Sequence, residues 1–276
     1  TSYRFGNVPA RPFLYPLIDP YGHPMTRRPA RPEDRDMDHH HHRSVWVSYG
    51  DVNGIDNWSE ASGHGCTVHR TFDSLESGAV FGRFRAVADW VGPDGRNVLE
   101  EVKEVTIYNL PSSGRLIDLD VSLRAIEGDV LFGDTKEGGI VSVRVLPSME
   151  VRHGGRIENN YGGVNEGETW GKRAHWCDYS GSAEGNIVGI AIFDSPKSFR
   201  YPTYWHVRDY GLMTANPFGL SYFYNDPHHR GDHTLPAGET LFFSYRLYIH
   251  PGDATQARVA ERYHDFINPP VIKVEE

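Results

Sequence analysis

Beyond residue 66 the apolar and polar positions alternate with a period of two, the pattern of strands with one buried face. Between residues 115 and 125, Ile117, Leu119, Val121, Leu123 and Ala125 alternate with Asp118, Asp120, Ser122 and Arg124. Val141, Val143 and Val145 alternate with Ser142 and Arg144; Phe243, Tyr245, Leu247 and Ile249 alternate with Ser244, Arg246, Tyr248 and His250. Further strands are predicted at 66–72, 79–89, 98–108, 174–179, 187–193 and 204–207. Turn chemistry separates them, at Gly92-Pro-Asp-Gly95, Pro111-Ser-Ser-Gly114 and Pro236-Ala-Gly238. One helix is predicted over 254–267, with Asp253 as N-cap and Gln256 completing a capping box. Val259, Tyr263, Phe266 and Ile267 give it one apolar stripe, which should pack on a sheet.

Residues 1–37 behave differently. Prolines at 9, 12, 16, 20, 24, 29 and 32 exclude a helix or central strand, leaving an irregular lead-in with one short edge strand at 13–18. About a dozen strands without alternating helices exclude a doubly wound sheet and require two large packed sheets. The expectation is all-β, a large two-sheet β-sandwich in one domain over residues 1–276, with one C-terminal helix.

Charge and apolar content narrow the partners. The formal charge of -9 argues against nucleic acid, which needs clustered Lys and Arg, and suits a neutral small-molecule or oligosaccharide ligand. A spanning helix needs roughly 20 apolar residues, and the longest runs, such as 188–193, are far shorter, so a soluble protein with no membrane partner is expected. Cys66 and Cys177 are too few for a disulfide scaffold and read as reduced buried thiols, with a single bridge between them as the alternative. The chain starts at Thr1 with no apolar signal core; the cytoplasm is the expected compartment, with secretion or the periplasm left open.

The densest chemistry runs from Asp38 to Trp58. Four histidines and Arg43 precede the apolar run 45–49, and Asp51, Asn53, Asp56 and Trp58 follow it. A purification tag is excluded, because the run is internal, has four histidines only, and leads straight into folded sequence. This stretch resembles the uncharacterised DUF6807 family, whose label borrows the name of a methane monooxygenase subunit. The match covers Asp38, His39, His41 to Ser44, Trp46 and Gly50 to Gly54, and departs at His40, where the family has proline. Likeness continues at Phe132 to Gly139, Trp205 to Gly211, Ala215 to Gly219 and Leu235 to Glu239. A membrane copper enzyme, as the label implies, does not fit a chain without spanning segments. The strand count and the Leu235-Pro-Ala-Gly-Glu239 turn look like the galactose-mutarotase supersandwich. That resemblance implies a concave sheet face that binds carbohydrate, in a group of epimerases, lyases and hydrolases.

On the family motifs, His41, His42, Glu137, His206 and Asp209 are the candidate catalytic groups. Imidazole is the usual acid–base group near neutral pH, and a carboxylate between glycines, as in Lys136-Glu137-Gly-Gly139, allows close ligand approach. Arg43, Trp46, Asp51, Asn53, Trp58, Lys136, Arg208 and Tyr210 are the candidate substrate-binding residues. In a strand, His206, Arg208 and Tyr210 share one face. The competing readings are a plain hairpin turn at 134–139 and a structural Arg208–Asp209 pair. Between residues 170 and 179, Trp176 reads as structural, and His228, His229 and His233 read as surface. Gly-x-Ser-x-Gly, phosphate-loop and His-Glu-x-x-His motifs are all missing.

The function expected is a carbohydrate-active enzyme using His/Glu acid–base chemistry. The alternatives are a divalent metal enzyme, with His41, His42 and His206 holding Zn, Mn or Fe, and a non-catalytic sugar-binding protein. No cofactor is certain, and the oligomeric state is not specified.

Overall fold

A computed structural model describes residues 1–111 and 113–270. Among these residues the chain forms sixteen strands and three short α-helices. The strands are β1 (Ser2–Arg4), β2 (Phe13–Tyr15), β3 (Val45–Tyr49), β4 (Cys66–Ser77), β5 (Phe81–Val91), β6 (Asn97–Tyr108), β7 (Arg115–Ala125) and β8 (Val130–Phe132). They continue with β9 (Gly138–Arg144), β10 (Arg156–Asn159), β11 (Trp176–Ala183), β12 (Asn186–Asp194), β13 (Trp205–Arg208), β14 (Leu212–Ala215), β15 (His233–Leu235) and β16 (Thr240–Pro251). The helices are α1 (Asn165–Thr169), α2 (Leu220–Phe223) and α3 (Val259–Ile267). Two large antiparallel sheets result, as the period-two pattern predicts. One has the order β1-β2-β3-β9-β14-β13 and the other β10-β11-β12-β16-β7-β6-β5-β4, with β15 and β8 as a separate pair. None of the helices described is long and apolar enough to cross a membrane.

The alternating residues meet between the sheets. Ile117, Leu119, Val121 and Leu123 of β7 and Phe243, Tyr245 and Leu247 of β16 join Val45, Val47, Val141, Val143, Val207 and Met213 in one buried core. Each large side chain removed from water there stabilises the fold by about 1.5–3 kcal/mol. On the far side of the eight-stranded sheet, Val259 and Tyr263 of α3 pack on Trp176, Phe193 and Tyr248. The predicted apolar stripe therefore finds its sheet.

Three expectations need correction. The helix begins at Val259, not at 254, although the capping-box bonds form: Gln256 N donates to Asp253 Oδ1 at 2.8 Å and Asp253 N to Gln256 Oε1 at 3.2 Å. They close an isolated turn, because Arg258 adopts a left-handed φ of 56° and interrupts the path before α3. The strand at 13–18 stops at Tyr15 and lies between β1 and β3, so β1 is the edge. Strand β14 was not predicted; all four of its residues are buried, so no alternation marks it. The turn at 111–114 contains Ser112, which lies outside the described residues.

The six-stranded sheet departs most from a simple sandwich. All seven residues of β9 are buried, including Ser142 and Arg144, which alternate with the core valines. Its second face is therefore covered as well, with Asp38 and His42 reaching Arg144 there. Polar side chains there must find partners within the protein, and Thr214 Oγ1 donates to Ser142 Oγ at 2.8 Å. Gly139 lies where β9 meets β14, and a Cβ there would run into the Ala215 carbonyl oxygen and Thr214 Cγ2. Gly139→Ala should therefore destabilise the protein by about 1–3 kcal/mol, as overpacking does, seen as a lower midpoint in urea unfolding.

Candidate functional site

Strand register lines up the side chains of this covered face. Trp46 lies opposite Ser142, Ser142 opposite Thr214, and Thr214 opposite His206, in one row across β3, β9, β14 and β13. The next row runs from Arg144 through Leu212 to Arg208. Over these rows opens a cavity of about 570 Å³, walled by the histidine loop at 39–42, the loop at 56–59, the loop at 135–137 and the His206 to Tyr210 segment.

Buried arginines hold the histidine loop in place. Arg144 is 1% exposed and reaches Asp38 at 3.1 Å and Glu150 at 3.5 Å, and its guanidinium lies 4.7 Å from the centre of the Tyr210 ring. Arg27 also pairs with Asp38, and donates to the His39 carbonyl at 2.7 Å. Burial pushes the Asp38 carboxyl up, but Arg144, His39 and Arg27 outweigh it and hold it at about 2. A second group joins Arg11 and Arg43 to Glu60, at 3.3 and 2.5 Å. Arg11 donates further to the Trp58 carbonyl at 3.0 Å, and Arg43 to that of His40. A buried cation persists only when paired in this way.

Aromatic rings fill the loop. His39 stacks on Tyr210 at 4.7 Å and on His42 at 4.8 Å, while His42 stacks on Trp46 at 5.3 Å and meets Trp58 edge-on at 5.4 Å. Burial lowers the His41 and His206 imidazoles to about 3, helped by Arg11 and Arg208 respectively. His42 is lowered well below its ordinary value, first by burial and then by His41 and Arg144. All three rings are therefore neutral near pH 7.

Their partners then decide where the proton sits. An indole N–H and a guanidinium are donors only. Trp170 Nε1 donates to His206 Nδ1 at 3.0 Å, and Arg144 Nη1 lies 3.4 Å from His42 Nδ1. Both Nδ1 atoms are therefore acceptors, and both rings carry their proton on Nε2, ready to donate into the cavity they line. The same geometry works against metal binding, since an Nε2 that carries a proton has no lone pair to offer. Among the described residues no group of three or more His, Cys, Asp or Glu is placed to hold a metal ion.

The cavity brings together His41, His42, Trp58, Lys136, Glu137, His206, Arg208 and Tyr210. Lys136 and Glu137 form an ion pair at its rim, and Arg208 pairs with Glu166 at 3.0 Å. The other candidates lie elsewhere. Trp46 is sealed beneath His42, and its Nε1 lacks a hydrogen-bond partner among the described residues. Arg43 is turned to Glu60. Asp51 accepts from Gly54 N at 2.9 Å and Asn53 from Leu131 N at 2.7 Å, which fastens their turn to β8. Asp209 accepts from Glu166 N at 2.9 Å and so anchors α1, in place of a pair with Arg208. Sequence reasoning did not single out Arg144 or Glu166, and gave Trp170 no role within the aromatic stretch at 170–179. Arg144 reads as an outward-facing alternate residue, and nothing in the sequence signals that its face is covered.

Fold and site together define a large antiparallel β-sandwich with a polar, histidine-lined cavity on the outer face of its smaller sheet. The chain belongs to DUF6807, a family of unknown function, whose model matches residues 1–264. None of the curated proteins compared with it matches in sequence. A solved galactose 1-epimerase from Lactobacillus acidophilus NCFM is similar at 8% identity and a TM-score of 0.42, over 86% of this chain and 89% of that one. A galactose mutarotase related enzyme from Lactobacillus acidophilus is similar at 11% identity and a TM-score of 0.33, over 75% and 82%. Likenesses this distant assign no chemistry to the cavity.

The lowered imidazole of His206 has a measurable consequence. Folded, it takes a proton only near pH 3; unfolded, it does so near 6.5. The stability that its neutral form carries is complete above pH 6.5 and is lost as pH falls toward 3. Between pH 6 and 4 the stability difference between wild type and His206→Gln should change by about 1.4 kcal/mol per pH unit, to the detriment of wild type at low pH. Parallel urea titrations of the two proteins measure it, and a constant difference would contradict a neutral buried ring.

Proposed function

We propose that the cavity binds a neutral sugar and acts on it by proton transfer, as an epimerase, lyase or hydrolase. One observation carries this reading: a single cavity is lined by His42 and His206, whose Nδ1 atoms are met by Arg144 and Trp170, and by the carboxylates of Asp56 and Glu137. The lining cations, Lys136 and Arg208, are matched by Asp56 and Glu137, which favours an uncharged ligand.

A carbon-acid step balances with these groups. The Glu137 carboxylate removes the proton from a carbon next to a substrate carbonyl, and the C–H electron pair moves into the new C–C double bond. The carbonyl oxygen becomes an enolate oxygen, stabilised by the Nε2–H groups of His206 and His42. Preorganised donors at developing charge are worth most in a site from which water is excluded. Delivery of a proton from water to the opposite face, with Glu137 releasing its own proton to water, gives the epimer; collapse of the enolate, which expels a β-oxygen substituent that takes the proton from Glu137, gives a lyase product. Lys136 and Arg208 hold substrate oxygens, while Trp58, 2% exposed, backs the histidines from below and leaves no face free for stacking.

A panel of aldoses, ketoses and disaccharides incubated with the protein in D2O, followed by proton NMR, tests this. Deuterium incorporation or bond cleavage is expected, reduced by about 10²–10⁴-fold in His206→Gln and Glu137→Gln, the range for loss of an acid–base group. Sugar binding without exchange or cleavage would make the protein a binding module. Unchanged turnover in both variants would place the chemistry outside this cavity.

A further inference from the structure

A second cavity, of about 560 Å³, adjoins the first. Lys136 and Arg208 line both, so the two cavities meet at these side chains. We infer that the ligand spans both cavities and that the second is a subsite for a further sugar ring, which makes the substrate an oligosaccharide of at least two rings. This rests on the sugar reading above and specifies the class of sugar.

The second cavity has the surfaces a pyranose needs. Trp170 lines it, half-buried and held in place: its N–H is committed to His206 Nδ1 at 3.0 Å, and its ring meets Phe223 edge-on at 5.3 Å. Tyr222, on α2, lines it too and is 45% exposed. A fixed face such as that of Trp170 receives the apolar face of a sugar ring at little entropic cost, and Tyr222 adds an exposed ring to the same cavity. Asn225 and Arg230 supply polar groups for the hydroxyls. Lys136 and Arg208, standing between the two rings, are placed against the linkage. Trp170 also ties the two cavities together, because the residue that shapes the second subsite fixes the proton on His206 in the first.

Calorimetric titration of the full chain with common neutral mono-, di- and trisaccharides tests the inference. A matching disaccharide should bind about tenfold tighter than its constituent monosaccharides, the gain expected from one further stacked ring. In Tyr222→Ala that ratio should fall toward one. Equal affinity for one ring and two in the wild type would overturn the inference and leave the sugar reading intact, as would a ratio that Tyr222→Ala does not change. Binding of no sugar of any length would overturn both.

Discussion

Burying charge on the outer face of the six-stranded sheet is the constraint on which the site depends. Arg11, Arg27, Arg43 and Arg144 are each at most 4% exposed, and each has a carboxylate partner in Glu60, Asp38 or Glu150. An unpaired buried charge would cost several kcal/mol, so this face can be covered only if those partners arrive together. Asp38 and Glu60 lie on either side of the histidines, so the pairing fixes both flanks of that loop. The imidazoles are thereby desolvated and lose their charge, and the arginine that anchors the loop also dictates the tautomer of His42. Structural and chemical roles therefore meet in the same residues.

The sequence reveals much of the fold because the core is written in alternation. The strands at 115–125 and 243–250, and the stripe on α3, were legible for that reason. Elements buried on both faces carry no such signal: β14 went unread, and Arg144 and Ser142 looked solvent-facing. A capping box predicted a helix start five residues early, because side-chain bonds report a turn and not its continuation. The left-handed Arg258 that breaks the path has no marker in residue type.

Much the same holds for the site. Chemical type together with the family motifs singled out His42, Glu137, His206 and Arg208, which line one cavity from segments far apart in the chain. Residue type could not separate groups that face the cavity from groups that support it. Arg43, Trp46, Asp51, Asn53 and Asp209 sit inside the same motifs, yet they hold loops and turns. Trp170 lies in the aromatic stretch at 170–179, but residue type could not assign its role, which lies in one hydrogen bond to a ring 36 residues away.

The contacts that close the cavity are also distant in sequence, His42 and Arg144 being 102 residues apart and Asp38 and Arg144 106. The strands of the larger sheet from β4 to β7 pair with their chain neighbours and can form early, whereas the lead-in must wait for β9 to be in place. The β4–β7 part of the larger sheet can therefore form before the site. A chain interrupted at that stage would have those strands but leave its histidines in water, charged whenever the pH falls below their ordinary range. The imidazoles thus acquire their chemistry as the final product of assembly.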